Sequence, residues 1–79
     1  MERLKHGKKV VGLNQTLKCV DRNEAEVIFV AADCDFRISG VIDELRSLGN
    51  IEIIEVESMK ALGKACGIDV NAAIACIVK

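Results

Sequence analysis

Val27-Ile28-Phe29-Val30-Ala31-Ala32 is an unbroken apolar run, and it constrains the fold more than any other stretch of the chain. Six residues are short for a buried helix, and the β-branched and aromatic content favours a strand. A strand with one wet face would alternate apolar and polar side chains. This one does not, so both of its faces must be covered, as in a sheet with helices on either side.

The flanking segments supply those helices and the remaining strands. Lys9 to Val11 is strand-like, and a helix beginning at Asn14 follows it to about Arg22. Asn14 is a good N-cap, and Asn23 can end the helix in a left-handed conformation. Asp33-Cys34-Asp35 forms the next loop. Ile38, Val41, Ile42, Leu45 and Leu48 then fall on the apolar stripe of an amphipathic helix that Gly49-Asn50 ends. Ile51 to Val56 alternates enough glutamate to read as a strand near a sheet edge. Ser58 caps a helix from Met59 to about Cys66, Gly67 stops it, and Ala72 to Val78 is a last apolar strand. Residues 2–6 fit one further helical turn. Strands and helices alternate throughout, which predicts an α/β layer fold with helices on both faces and some parallel strand pairs. The periodicity assigns Leu17, Val20, Val27, Phe29, Val30, Ile42, Leu45, Leu62, Ile74 and Ile77 to the core.

Seventy-nine residues, half of them hydrophobic, make one domain with a compact core. The apolar runs are far below the ~20 residues that span a bilayer. No charged-then-apolar leader opens the sequence, so a cytoplasmic protein without a membrane partner is expected. The net charge is −1 but unevenly spread. Residues 1–22 hold Arg3, Lys5, Lys8, Lys9, Lys18 and Arg22 against Glu2 and Asp21, whereas residues 23–79 hold five basic and ten acidic groups. Such asymmetry can give a near-neutral protein a basic face.

Motifs for catalysis are sparse. Cys19, Cys34, Cys66 and Cys76 form no C-x-x-C pair, and His6 is the single histidine, so neither a zinc site nor another cofactor is expected. Cys66 and Cys76 lie among apolar residues and read as buried thiols. Gly12 stands alone, without a Walker lysine or G-x-G-x-x-G, and there is no G-x-S-x-G elbow. Asp33 and Asp35 could act as an acid–base or metal pair, but two carboxylates after a strand more often cap a helix or stay solvated.

The stretch Gly12-Leu13-Asn14-Gln15-Thr16-Leu17-Lys18 is the stronger candidate for a ligand site. At about 100° per residue, Asn14, Gln15 and Lys18 share one wedge of the helix surface, while Leu17 and Val20 can face a core. Two carboxamides, an ammonium and first-turn amides suit phosphates and the acceptor edge of guanine. The same residues also fit a plain strand-to-helix corner with a solvated face.

Taken together, Gly12 to Lys18, Ala31-Ala32-Asp33-Cys34-Asp35 and Val56-Glu57-Ser58-Met59-Lys60-Ala61-Leu62-Gly63-Lys64-Ala65-Cys66-Gly67 resemble the L-seven-Ae / L-thirty-e ribosomal protein family, especially its small bacterial members. The resemblance covers nearly the whole chain and implies a three-layer α-β-α sandwich around a four-stranded mixed sheet. It also implies a non-enzymatic, monomeric protein that binds RNA kink-turns, bent elements with tandem sheared G·A pairs, in ribosomal or riboswitch RNA and in association with the ribosome. By that resemblance Asn14, Gln15 and Lys18, entered through Gly12, read the guanines. The loop Glu55-Val56-Glu57-Ser58-Met59 packs on extruded bulge nucleotides. Three positions depart from the family pattern. Gln15 stands where archaeal and eukaryotic members carry Glu, Ala32 replaces a Glu or Lys, and Glu57 replaces a Pro or Arg. The acidic second half and Glu57 leave open a protein-interaction module that has lost tight RNA binding. A small enzyme using a cysteine or the Asp33/Asp35 pair is the third reading.

Overall fold

The computed structural model describes residues 8–49 and 51–79. The apolar run becomes the central strand. In chain order the elements are β1 (Lys9–Val11), α1 (Leu13–Asp21), β2 (Ala25–Ala31), α2 (Phe36–Leu48), β3 (Glu52–Val56), α3 (Met59–Cys66) and β4 (Ile74–Val78). The expected turn at residues 2–6, with Arg3, Lys5 and His6, lies outside the described residues, as does Asn50.

The sheet order is β1-β4-β2-β3. Strand β2 pairs antiparallel with β4, placing Phe29 opposite Ala75, and parallel with β3, placing Phe29 opposite Ile54. A parallel pair needs a crossover, and α2 supplies it. Strand β1 pairs antiparallel with β4, Val10 opposite Cys76. The sheet is therefore mixed.

Because side chains alternate along a strand, β2 feeds two cores. Val27, Phe29 and Ala31 face α3, packing with Leu62, Cys66, Ala75 and Ile77. Ile28 and Val30 face α1 and α2, packing with Cys19, Ile42, Leu45, Ile74 and Cys76. This is the expected three-layer α-β-α sandwich. Strand β3 lies at an edge, and its glutamates Glu52 and Glu55 are exposed, as their alternation implied.

Eight of the ten predicted core residues are buried; Leu17 and Val20 are half-buried. The helix α1 turns Thr16 and Cys19 inward instead. Their small side chains let the helix lie close to β4, while Leu13 and Val20 seal its margins. The hydroxyl of Thr16 is fully enclosed, with no hydrogen-bond partner.

The Leu62-Gly63-Lys64-Ala65-Cys66-Gly67 segment has a packing explanation. After α3, the chain returns alongside the helix: Ile68 N–H donates to the Gly63 carbonyl and Ala72 N–H to the Met59 carbonyl. A Cβ at Gly63 would collide with the carbonyl oxygen of Val70. The returning backbone cannot move away without losing both bonds.

Gly63→Ala should therefore destabilise by about 1–3 kcal/mol, the usual range for overpacking. Leu45→Ala should cost about 2–5 kcal/mol by leaving a cavity. Chemical denaturation of the two variants checks both values, and a neutral Gly63→Ala would show that the return segment is loosely held.

Candidate nucleic-acid interface

Strand direction assembles the site. Strands β1, β2 and β3 all run one way and β4 runs back. Each of the three is followed at once by a helix, so the N-termini of α1, α2 and α3 gather at one end of the sheet. Backbone bonds tie that end together. Gly12 N–H donates to the Ile74 carbonyl at 2.9 Å, Ala31 N–H to Ala73 at 2.9 Å, and Ala32 N–H to Val56 at 2.7 Å.

The three helix starts differ in how their amides are satisfied. In α2, the Asp35 carboxylate accepts from Arg37 N–H at 2.8 Å. This bond, and then the Arg37 side chain 3.5 Å away, hold the Asp35 carboxyl below its ordinary pKa. In α3, Ser58 Oγ accepts from Ala61 N–H at 3.0 Å, and the Asp33 carboxylate reaches across from the β2–α2 loop to accept from Met59 N–H at 2.7 Å. Asp35 thus caps the helix that follows it, the more ordinary of the roles its spacing allowed, while Asp33 caps a different helix, α3. In α1 the cap position is Gly12, which has no side chain to offer. Its φ of 103° lies where an L side chain is strained, so a capping Asn or Ser could not replace it without cost.

This corrects the reading of Asn14 as the N-cap. The helix starts one residue earlier, at Leu13, and Asn14 sits inside its first turn with no capping bond. The carboxamide is exposed, as are Gln15 and Lys18. The wedge thus stands at the uncapped mouth of α1, where first-turn amides lack intrahelical acceptors.

The β3–α3 loop is largely tied into the fold. Val56 is buried in the core, and its carbonyl is taken by Ala32. Ser58 and Met59 are half-buried and occupied by the capping bonds, and Met59 packs on the core below α3. Glu57 is exposed. The loop and the α1 wedge flank the same end of the sheet, separated by three strand spacings of about 4.8 Å each.

One neighbour, Arg37, escaped the sequence reading. Arg37 and Asp35, with Leu13, Asn14 and Ile38, line a shallow depression of about 330 Å³ beside the wedge. The capping bond comes from the backbone N–H of residue 37, so it gives the arginine itself no signal in the sequence. Of the cysteines, Cys19, Cys66 and Cys76 are buried, and Cys34, between the two capping aspartates, is half-buried. Burial, and then the adjacent Cys19 thiol, push the Cys76 thiol up to about 12. Among the described residues no three His, Cys, Asp or Glu side chains gather as metal ligands, and no helix is long and apolar enough to cross a membrane.

Residues 1–79 match the profile described as the ribosomal protein L7Ae/L30e/S12e/Gadd45 family. The chain belongs to this family. Among its relatives, an RNA-binding protein of Halalkalibacterium halodurans is 43% identical over 70 residues, spanning 89% of this chain and 85% of that one. The RNA-binding protein YbxF of Geobacillus stearothermophilus is 38% identical over 76 residues, spanning 96% and 93%. The large ribosomal subunit protein eL8 of Halobacterium salinarum is 37% identical over 68 residues, spanning 85% of this chain and 57% of the longer ribosomal protein. The 15.5 kD RNA-binding protein of Giardia lamblia superposes with a TM-score of 0.81 at 32% identity, covering 96% of this chain and 68% of that one. Membership accords with the resemblance carried by Gly12–Lys18 and the α3 segment.

Asp33→Ala removes the carboxylate that ties the β2–α2 loop to α3. It should cost about 1 kcal/mol, the usual value of a lost cap, and loosen the β3–α3 loop in hydrogen exchange. The thiols give a second check. Cys34 should react with a thiol reagent in the native protein, and Cys19, Cys66 and Cys76 only after unfolding. Because folding raises the Cys76 pKa, its contribution to stability is complete below about pH 9. That contribution falls as pH rises toward about 12. Stability measured across that window should decline more in the native sequence than in Cys76→Ala.

Proposed function

We propose that this chain is an RNA-binding protein that recognises kink-turn elements with tandem G·A pairs, in ribosomal or riboswitch RNA. The observation that carries this reading is the exposed Asn14-Gln15-Lys18 wedge at the uncapped start of α1. Lys18 offers donors alone, and Asn14 can offer its amide hydrogens, so both suit guanine O6 and N7. The Gln15 carbonyl can accept from a guanine N–H, without the charge assistance a carboxylate would give. The amides of the first turn, and the dipole behind them, favour a phosphate beside those bases. RNA presents such base edges where its helix is distorted, which is what a kink-turn provides.

The names of the relatives support RNA as the partner: two bacterial relatives and the Giardia protein are RNA-binding proteins, and eL8 is a ribosomal protein. Association with the ribosome belongs to the proposal on the same ground. A protein-interaction role is favoured by one observation, the exposed acid Glu57 in a loop that would otherwise meet RNA.

Titration against a kink-turn RNA, and against the same RNA with Watson–Crick pairs in place of its G·A pairs, separates the two. Preference for the kink-turn supports recognition; equal weak binding to both favours the protein-interaction role. Lys18→Ala should weaken kink-turn binding ten- to hundred-fold, roughly 1–3 kcal/mol for a base contact, and duplex binding much less. Lys8→Ala, if Lys8 meets only phosphate, should weaken both alike and lower the salt slope by about one. Gln15→Glu should preserve or tighten binding if the side chain reads a guanine, and weaken it if the side chain faces a phosphate. Equal loss on both RNAs for Lys18→Ala would remove the recognition role of α1.

A further inference from the structure

Phe36 and Arg37 open α2, and the fold gives no reason for either. The chain contains two phenylalanines and no tyrosine or tryptophan. Phe29 fills the centre of the core, whereas Phe36 is 84% exposed. Its ring leaves water for nothing in the molecule. Arg37 is 80% exposed and sits in the first turn of a helix, where the helix dipole disfavours a cation. Its pairing with Asp35, at 3.5 Å and open to water, returns little stability. Neighbouring residues that each break a local rule without a structural return are where function is to be sought.

Their location narrows that function. Arg37 lines the 330 Å³ depression together with Leu13 and Asn14, so it borders the α1 wedge directly. Phe36 precedes it at the same end of the sheet, where the three helix N-termini gather. An exposed aromatic next to a guanidinium is the equipment that RNA-binding surfaces use for unpaired nucleotides. The ring stacks on a base, and the guanidinium takes a phosphate or stacks in turn. We propose that Phe36 is a stacking platform for an unpaired nucleotide, with Arg37 holding that nucleotide's phosphate. The bound RNA then extends from α1 across the depression onto α2. This rests on the RNA-binding reading and adds a base contact to it. The Asp35 bond to Arg37 N–H fixes the turn from which both side chains project.

Because both residues are exposed, Phe36→Ala and Arg37→Ala should fold and unfold like the parent chain, which circular dichroism and thermal melting establish first. The full-length chain is then titrated with two probes. One is a kink-turn RNA carrying 2-aminopurine at each unpaired position in turn. The other is a single-stranded oligoribonucleotide with one central 2-aminopurine. Stacking on Phe36 should change the fluorescence at one unpaired position of the kink-turn. Phe36→Ala should abolish that change and weaken binding roughly five- to hundred-fold. Phe36→Tyr should restore both, and Phe36→Leu, apolar but without a ring, should restore neither. Replacing that nucleotide by an abasic sugar should make the parent and Phe36→Ala bind alike.

The proposal is overturned if Phe36→Ala matches the parent in affinity and fluorescence on both probes, which would leave Phe36 to a protein partner. It is also overturned if Phe36→Leu restores binding as well as Phe36→Tyr. Should the parent bind kink-turn and duplex equally, the kink-turn reading fails by itself. The single-stranded probe then decides the stacking role, which stands if Phe36→Ala loses the parent's fluorescence change and falls if it does not.

Discussion

Burial of β2 on both faces is the constraint from which the rest of the molecule follows. A strand whose side chains are apolar in both directions cannot be stable until two layers cover it, and here three helices supply those layers. Strand β2 therefore takes the centre, with β4 and β3 beside it and β1 beyond β4. Phe29 and Ile28, one residue apart, anchor opposite cores. Once β1, β2 and β3 share a direction, the helices after them must all start at one end. The candidate site is thus a by-product of satisfying one strand.

At that end, cap chemistry separates structure from function. Ser58, Asp33 and Asp35 close the starts of α3 and α2, each spending a side-chain oxygen on a backbone amide. Gly12 leaves the start of α1 open and takes a backbone angle that few residues could share. Stability alone would favour a cap there as well. The uncapped helix also bears the three clustered exposed side chains of the wedge, two carboxamides and an ammonium.

Much of this was legible in the sequence, and the misses have physical causes. The continuous apolar run gave β2, the 3.6-residue stripe gave α2, and Ser58 and the two glycines at 49 and 67 gave the helix limits. Leu17 was misplaced because hydrophobicity alone orients a helix only approximately; packing distance decided for Thr16 and Cys19. Asn14 was misassigned as the cap because its side chain suits that position, and only the backbone at Gly12 shows that the helix starts one residue earlier. Val56 ends β3 as its sequence indicated, and its side chain is buried in the core. Asp33 caps a helix 26 residues away, a contact that local spacing cannot reveal. Phe36 was silent because in a sequence an exposed ring looks like any other apolar residue.

The shared starting end of the three helices has an electrical consequence that the net charge conceals. Three aligned helix dipoles place partial positive charge at one pole of a body only about 30 Å across. Asp33, Asp35 and Glu57 stand at the same pole and offset that charge around α2 and α3, so the start of α1 is the end left without a capping acid. An approaching polyanion exerts a torque on such a body within about 8–10 Å at physiological ionic strength. Such a torque would favour presenting the start of α1 first. A near-neutral protein can in this way gain orientation during encounter without the indiscriminate adhesion that a high positive charge would bring.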